Sequence, residues 1–327
     1  MNRARTLTAL LVTAVLALTA GCGSAGEEAG GGHRDTGGRG DGTITIEHAE
    51  GTTTLDRPAR KVVALEWTYA EDLMALGVTP AGVADIEGYQ KWITAGPRIG
   101  DDVRDVGTRQ EPSLETIRQL DPDLIITSRF RSESNYAELN RIAPTLMFDP
   151  YGEDSEYAEM RATLRKIGTA VGREDKARTA LETLDDTLRQ ARAELADAGR
   201  AGSEVTVARG YTTDGAAVAE VMTDSTIPGG VLRELGLRNA WRGKADAHGM
   251  SKVDIEGFRQ VEKSHLVYVA APEDDVFAKD FAKNRLWQRL DFVTGDRVHA
   301  LDPGTWFFGG PYSTAQVAEE ITDALTR

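Results

Sequence analysis

The pattern of hydrophobic and polar positions divides most of the chain into short, alternating strands and helices. Alternating Thr and Ile residues around a glycine predict a hairpin over Thr43–Asp56. The apolar run "KVVALE" predicts a strand, and "AEDLMALG" predicts an amphipathic helix that ends at Gly77. The strand "AGVADI", the helix "LETIRQL", the strand "DLIITS", a helix about Glu133–Ile142 and the strand "PTLMFD" follow. Strands that alternate with helices predict parallel α/β layering.

The middle of the chain has a helical pattern and no strand pattern. From Asp154 to Gly199 it consists mostly of Ala, Leu, Glu, Arg and Lys at helical spacing, and we expect Gly168 and Gly172 to interrupt it. Glu174–Ala198 can form one unbroken helix about 40 Å long, at a rise of about 1.5 Å per residue. Its apolar stripe predicts a strut packed along two bodies, an ordinary surface helix being the alternative. The stripe comprises Ala177, Leu181, Leu184, Leu188 and Leu195.

The alternation resumes after Gly202. "EVTVARGY" and "AEVMT" predict strands, "PGGVLRELGL" a helix, and "HLVYVA" and "RVHALDP" two further strands. "STAQVAEEITDAL" predicts a closing helix with Ser313 or Thr314 as its N-cap. The predicted fold is therefore α/β, with two α/β lobes joined by a single long helix. The expected boundaries are an N-terminal lobe at 43–153, connecting helices at 154–200 and a C-terminal lobe at 201–327.

Two similar segments lie at equivalent places in the two lobes. "SLETIRQLDPDLII" (Ser113–Ile126) and "DIEGFRQVEKSHLVYV" (Asp254–Val269) both predict a short helix in front of a strand. Each carries an acidic residue early in the helix, Glu115 in the first and Glu256 in the second. An acid in the first turn suits the helix dipole, which is the simple explanation for either residue alone.

The N-terminus has the pattern of an export signal. Arg3 and Arg5 precede the apolar run "TLTALLVTAVLAL", which is shorter than the ~20 residues of a membrane span and suits a signal peptide at residues 1–21. "LTAGC" ends at Cys22, the only cysteine, which cannot form an internal disulfide. The segment resembles a lipoprotein cleavage site, although Thr19 stands where Leu is usual. Cys22 is expected to carry lipid, the alternative being a plain signal peptide with a free thiol.

The residues after Cys22 predict a flexible tether. The stretch "GSAGEEAGGGHRDTGGRGDG" is rich in glycine and has no hydrophobic period, so residues 22–42 are expected to be coil. A lipid on Cys22 followed by such a tether suits an exported protein anchored to the outer face of the cell membrane.

Composition and motifs argue against several classes of protein. A hydrophobic content of 40% over 327 residues supports a packed core. The net charge of −14 disfavours a nucleic-acid partner, because such binding needs a positive surface. The sequence has no G-x-S-x-G, H-E-x-x-H, C-x-x-C or P-loop motif, and its five His are scattered. We therefore expect no catalytic residue, no cofactor and no metal-ligand cluster.

Aromatic residues and arginines recur in the loops that follow predicted strands. Ligands of α/β proteins bind at the carboxyl ends of the strands, aromatic side chains bury bulky ligands, and arginine recognises anionic oxygens. This pattern predicts a ligand site. The candidate residues are Trp67, Tyr69, Tyr89, Trp92, Arg109, Arg129, Arg131, Arg209, Tyr211, Trp306, Phe307 and Phe308.

Longer motifs carry a resemblance to a known family. In "VVALEWTYAEDLMALGVTPAGVADIEGYQKWI", "DVGTRQEPSLETIRQLDPDLII", "RIAP" and "PGTWFFGG", the chain resembles the iron-siderophore substrate-binding proteins of ABC importers. The ferric hydroxamate and ferric citrate types are the most similar, and the resemblance covers nearly everything after residue 58. It implies the class III fold of two α/β lobes on a long rigid helix. It also implies a shallow cleft between lobes that move little on binding.

The resemblance assigns roles to individual residues. Arg109, in the motif G-x-R-x-E-P, is implied to contact the oxygens around the bound iron, and Trp67, Trp92 and Trp306 match pocket-lining positions. Other pocket positions that are aromatic in the hydroxamate binder differ here. Fewer aromatic residues and an added arginine favour a more polar or anionic chelate, such as ferric citrate. The differing positions are Thr127, Arg131, His248 and Phe308.

The resemblance also explains the repeated acidic positions. In that family a surface Glu on each lobe pairs with arginines of a dimeric permease, and Glu115 and Glu256 match these residues. The implied function is a monomeric receptor that captures a ferric siderophore and delivers it to an ABC permease with its ATPase. The chelator, not the protein, would hold the iron. The alternatives are another cargo (cobalamin, haem or a free metal ion) or an exported enzyme that acts on siderophores.

Overall fold

The computed structural model describes residues 42–152 and 155–327. The described residues belong to one compact unit. The predicted signal peptide, Cys22 and the tether up to residue 41 lie outside the described residues. Within the described ranges, no helix has both the length and the apolar character that a bilayer crossing requires.

The N-terminal lobe is a parallel sheet with helices, as the hydrophobic pattern predicts. An antiparallel hairpin, β1 (Ile44–His48) and β2 (Gly51–Leu55), precedes it. The sheet strands are β3 (Val62–Ala64), β4 (Gly82–Val83), β5 (Arg104–Asp105), β6 (Leu124–Ser128) and β7 (Thr145–Phe148). They are all parallel, in the order β5–β4–β3–β6–β7. The helices are α1 (Trp67–Ala75), α2 (Ile86–Trp92), α3 (Leu114–Leu120), α4 (Arg129–Ser132) and α5 (Tyr136–Ile142).

Two helices connect the lobes, α6 (Glu156–Ala170) and α7 (Glu174–Asp197). Gly172 separates them with a φ of +63°, as predicted. Gly168 does not interrupt the helix and lies inside α6, so that prediction was wrong. A Cβ at this position would lie 2.9 Å from the Cβ of Ala177, so glycine allows α6 to pack closely on α7.

Helix α7 contributes to the cores of both lobes. At 24 residues it is about 36 Å long. Its N-terminal apolar residues, Ala177 and Leu181, pack into the hydrophobic core of the first lobe. The later residues Leu184, Leu188 and Leu195 pack into a core of the second lobe. The predicted strut is therefore confirmed.

The sheet of the C-terminal lobe is mixed, whereas the sequence predicted parallel layering. Its strands are β8 (Glu204–Thr213), β9 (Ala216–Met222), β10 (Arg238–Asn239), β11 (Met250–Val253), β12 (His265–Ala270) and β13 (Val298–Ala300). The main order is β11–β9–β8–β12–β13, with β10 also on β8. Strand β9 runs antiparallel to both β8 and β11. Asp214 and Gly215, with φ of 51° and 75°, form the tight turn that reverses the chain between β8 and β9.

The last helix begins earlier than predicted. The helices of this lobe are α8 (Ile227–Glu234), α9 (Val276–Lys279), α10 (Asp291–Thr294) and α11 (Pro311–Thr326). The N-cap of α11 is Gly310, so neither Ser313 nor Thr314 is the cap. Proline suits the first helical position, where no amide hydrogen is needed. The hydroxyl of Ser313 instead donates to Glu71 of α1 at 2.6 Å.

The two repeated segments occupy equivalent places but differ in local structure. The first forms α3, capped by Ser113, and leads into β6, which pairs with β3. The second forms only a 3₁₀ turn, Gly257–Val261, and leads into β12, which pairs with β8. Gly257 lowers the helix propensity of the second segment. Glu115 and Glu256 are both exposed.

Candidate ligand-binding cleft

A cleft between the two lobes contains two adjoining chambers. The first chamber has a volume of about 500 Å³ and the second about 520 Å³. Both are lined by residues of both lobes, and both have four residues in common: Arg109, Arg209, Trp306 and Phe308. Each volume lies within the roughly 300–1,000 Å³ typical of small-molecule sites.

Arg109 lies at the centre of the cleft. It follows β5 in a loop whose Gly107 has a φ of +97° and forms a bridge with Pro112. Its Cζ atom is 3.5 Å from the centroid of Trp67 and 5.9 Å from that of Trp306. Burial lowers the pKa of Arg109 from its usual value, and nearby Glu66 opposes this change. The guanidinium remains charged, since arginine does not deprotonate in proteins.

Trp67 is held rigidly at the start of α1. Its Nε1 donates to the carbonyl oxygens of Ala84 at 3.2 Å and Asp85 at 3.0 Å, both just after β4. Trp306 packs against it with ring centroids 5.1 Å apart, and Tyr89 packs behind it edge-on at 6.5 Å. The two tryptophans and Arg109 therefore form one stacked wall contributed by both lobes.

Glu66 pairs with two arginines at once. One carboxylate oxygen accepts from Nη1 of Arg109 at 3.3 Å, and the other accepts from Nε of Arg131 at 2.5 Å. The side chain of Glu66 is only 13% exposed, so these contacts are shielded from water. Charge-assisted hydrogen bonds of this kind fix the orientation of both guanidinium groups.

The second lobe presents a matching ion pair. Nε of Arg209 donates to Glu220 at 2.7 Å, and the hydroxyl of Tyr211 donates to the other oxygen of that carboxylate at 2.9 Å. The Cζ atom of Arg209 lies 5.0 Å from the centroid of Phe308. Arg209 and Glu220 are direct partners across the β8–β9 ladder, so the hairpin register brings them together.

Aromatic residues close one end of the first chamber. The His248 ring of the second lobe packs edge-on against Phe130 and Tyr151 of the first, with centroids 4.7 Å and 5.0 Å away. Burial raises the pKa of Tyr151 above its usual value. The three rings form a contact between the lobes at the edge of the chamber.

A buried carboxyl group, Glu156, also lines the first chamber. It is the first residue of α6, and its Oε2 accepts from the backbone amide of Ile227 at 3.1 Å. Burial raises the pKa of Glu156 to about 8. At neutral pH this side chain is therefore mostly protonated, and it can donate a hydrogen bond.

No metal centre is formed by the described parts of the chain. In residues 42–152 and 155–327, no three His, Cys, Asp or Glu side chains converge to hold an ion. His265 and His299 pair at 3.1 Å on neighbouring strands, and burial lowers the pKa of both, that of His265 to about 4.

The structure brings most of the candidate ligand residues together. Trp67, Trp92, Arg109, Arg131, Arg209, His248, Trp306 and Phe308 all line one or both chambers.

Three candidate residues line neither chamber. Thr127 is buried, and its hydroxyl forms a hydrogen bond with that of Ser132 at 2.6 Å. Tyr89 is buried behind Trp67. Arg129 faces away from the chambers and donates to the carbonyl oxygen of Ala49 and to Glu50 and Asp149. It therefore ties the β1–β2 turn to the end of β7.

Other lining residues were missed from the sequence. Phe130 and Glu66 adjoin predicted residues, and Tyr151 follows a strand, so the strand-end rule could have included all three. Glu220 lies inside a strand, so a rule that considers only residues after strands could not identify it. The Asp-Gly turn at 214–215 gives the pairing of Arg209 with Glu220, so the hairpin signal could have found it.

Comparisons with known proteins agree with this architecture. A model of the family "Periplasmic binding protein" matches residues 62–305. The Fe(3+)-citrate-binding protein YfmC of Bacillus subtilis is 27% identical over 98% of this chain and 96% of its own. The Fe(3+) dicitrate-binding periplasmic protein FecB of Escherichia coli is 30% identical over 80% and 83%.

A solved structure has the same fold. The siderophore-binding protein FhuD of Vibrio cholerae, in its Fe3+-Desferal complex, matches with a TM-score of 0.74 and 28% identity. The match covers 82% of this chain and 98% of that one. From the matched family model, the shared fold and the identity to these relatives, this chain belongs to the periplasmic binding protein family.

Proposed function

We propose that this protein is an extracytoplasmic receptor that binds a ferric siderophore in its cleft and delivers it to an ABC permease. The observation that carries the proposal is the stack of Arg109 on Trp67 beside Trp306, at the junction of two chambers. The aromatic rings offer apolar surface for the organic part of a chelate. The guanidinium offers donors to its oxygens. The relatives named for ferric citrate, and the solved relative with Fe3+-Desferal, support the same cargo class.

Contacts between the lobes favour a cleft that changes little on binding. Thr68 of α1 donates to the carbonyl oxygen of Phe308 at 2.5 Å. Buried Glu71, three residues further along α1, accepts from the amide and the hydroxyl of Ser313 at 2.8 and 2.6 Å. Wide opening would break these buried bonds. We infer that the siderophore enters a largely preformed site.

Glu115 and Glu256 are the proposed permease contacts. Both are exposed, and each precedes a strand that pairs with the first strand of its own sheet. Two matched acidic positions suit a permease built from two equivalent halves. Exposed ion pairs contribute little affinity but set register and orientation.

The proposal for localisation concerns residues before the described fold. We infer that residues 1–21 are removed as a signal peptide and that Cys22 carries lipid. Residues 22–42 would then tether the folded body to the outer face of the membrane. The receptor is proposed to act as a monomer.

Tryptophan fluorescence provides the test. The protein is titrated with ferric hydroxamates, ferric citrate, a ferric catecholate, haem, cobalamin, free Fe(III) and Zn(II), with Arg109→Ala and Arg129→Ala measured alongside. Saturable quenching by a ferric chelate, lost in Arg109→Ala and kept in Arg129→Ala, is the expected result. Saturation only with haem or cobalamin would reject the siderophore. Saturation by free Fe(III) or Zn(II) would favour a metal-ion receptor.

A further inference from the structure

We propose that the cleft selects ferric chelates without net negative charge, because carboxylates of the chain already pair with each of the arginines that line it. The inference rests on the proposed function and names the class of siderophore: a tris-hydroxamate rather than a citrate or a tris-catecholate. In a tris-hydroxamate, three monoanionic groups balance the charge of Fe(III). The citrate and tris-catecholate chelates keep a net negative charge.

The arginines that line the chambers are all in ion pairs. Glu66 pairs with both Arg109 and Arg131, Asp85 also lies 3.8 Å from Nε of Arg109, and Glu220 pairs with Arg209. The carboxylates of Glu66 and Glu220 are shielded, with side chains only 13% and 5% exposed. The positive charge of these arginines is therefore largely cancelled before any ligand arrives.

The charged residues that line each chamber give it no net positive charge. The first chamber is lined by five carboxyl groups, Glu66, Glu156, Glu159, Glu220 and Asp246, and by four cations, Arg109, Arg131, Arg209 and Lys252. Glu156 is mostly protonated at neutral pH because burial raises its pKa to about 8. The second chamber is lined by Arg109 and Arg209 together with Glu273 and Asp274. Neither chamber offers a net positive field to an anionic chelate.

An anionic ligand that displaces Glu66 or Glu220 from its arginines leaves an unpaired, nearly buried carboxylate, which is strongly unfavourable. An anionic ligand that bonds only the remaining N–H groups keeps the ion pairs, but its excess negative charge then lies beside these carboxylates with no net positive charge to offset it. An uncharged ligand avoids both penalties.

Hydrogen-bond donors remain for a neutral chelate. Within the described part of the chain, Nη2 of Arg109 and both Nη atoms of Arg131 have no hydrogen-bond partner. These N–H groups can bond hydroxamate oxygens without leaving Glu66. The added arginine therefore does not favour an anionic chelate, in contrast to the expectation from the sequence, because Glu66 neutralises it.

A titration of the full-length protein at pH 7 tests the inference. The ligands are a ferric tris-hydroxamate, ferric dicitrate and a ferric tris-catecholate, followed by tryptophan fluorescence. The tris-hydroxamate is expected to bind at least tenfold more tightly than either anionic chelate. Equal or tighter binding of an anionic chelate overturns the inference but keeps the proposed function. Binding of no ferric chelate rejects the proposed function, and the inference with it.

A matched pair of variants tests the cause. Glu66→Gln frees Arg109 and Arg131 from their shared counter-charge, so the affinity ratio of dicitrate to tris-hydroxamate is expected to rise at least tenfold. Glu50→Gln removes a glutamate that pairs with Arg129 outside the chambers, and this ratio should stay constant. An unchanged ratio in Glu66→Gln, or an equal rise in both variants, overturns the inference.

A second measurement covers the case in which Glu66→Gln fails to fold. The affinity of the wild-type protein for ferric dicitrate is compared at low and high salt. Salt screens the attraction between an anion and a positive site, so a cleft without net positive charge should show no fall in affinity with salt. A marked fall would indicate an unneutralised positive site and would contradict the proposal.

Discussion

The Cζ atom of Arg109 lies 3.5 Å from the centroid of the Trp67 ring. Arg109 lies in the loop after β5 and Trp67 begins α1 after β3, so this stack exists only in the folded lobe. We predict that Arg109→Lys lowers siderophore affinity at least tenfold, about 1.4 kcal/mol or more, since lysine lacks the planar fork that stacks and donates together. Fluorescence titration provides the measurement.

The control for this prediction is Arg129→Lys, which changes the same chemistry at a residue paired outside the chambers. Its affinity is expected to match that of the wild-type protein. Equal losses in both variants would indicate a general effect on the lobe rather than a contact with the ligand.

Ser313 is predicted to stabilise the junction of the lobes. Its hydroxyl and amide both donate to buried Glu71, and Ser313→Ala removes the hydroxyl. A buried acceptor that loses a donor costs about 1–3 kcal/mol, so the free energy of unfolding should fall by that amount. Chemical denaturation measures it. Thr179→Ala, which removes an exposed helix hydroxyl, should change the free energy by less than about 0.5 kcal/mol. A smaller effect at Ser313 than at Thr179 would contradict the prediction.

The raised pKa of Glu156 predicts that the stability of the protein depends on pH. Its pKa is raised from 4.5 to about 8 in the folded protein. Between these values the folded state holds a proton that the unfolded state has released, so its contribution to stability is lost as the pH rises towards 8.

Glu156→Gln should reduce this pH-dependent loss of stability by an amount on the order of a few kcal/mol. Glu71 and Asp72 also have raised pKa values through burial, so some loss should persist. Denaturation at a series of pH values gives the measurement. Glu174→Gln, at an exposed position, should keep the wild-type profile. A Glu156→Gln profile as steep as the wild type would contradict the assignment.

Charge reversal tests the permease contacts. Glu115→Lys with Glu256→Lys should abolish uptake of the ferric siderophore by cells and leave its affinity in solution intact. Transport of radioactive iron and fluorescence titration measure the two properties separately. The control reverses two other exposed acids, Glu138 and Glu194, and should transport normally. Normal uptake in the first variant would rule out docking through these residues.

Local patterns were sufficient for much of the fold. The apolar stripe of α7 predicted a helix shared by two bodies, and Leu181 and Leu188 do pack into different cores. A stripe of this kind is specified by spacing along one helix, so it can be read without tertiary information. The antiparallel β8–β9 pair was missed because its signal is a two-residue turn, Asp214–Gly215, rather than a hydrophobic period.

The candidate site could also be predicted from the sequence only in part. Strand-end position identifies which residues reach the edge of a sheet, and it selected Trp67, Arg109 and Trp306 correctly as cleft-lining residues. It cannot show where a long side chain points. Arg129 and Arg131 are two residues apart, yet one turns to Glu50 and the other to Glu66. That choice depends on carboxylates distant in sequence, so only the folded structure reveals it.

A structure of the protein with a bound ferric tris-hydroxamate tests the central claim most directly. We predict that the chelate lies between the lobes against Trp67 and Trp306, with Arg109 donating to its oxygens. The ion pair between Arg109 and Glu66 should remain in place, and no protein side chain should bind the iron. A chelate outside the cleft, or iron held directly by side chains of the protein, would contradict this assignment.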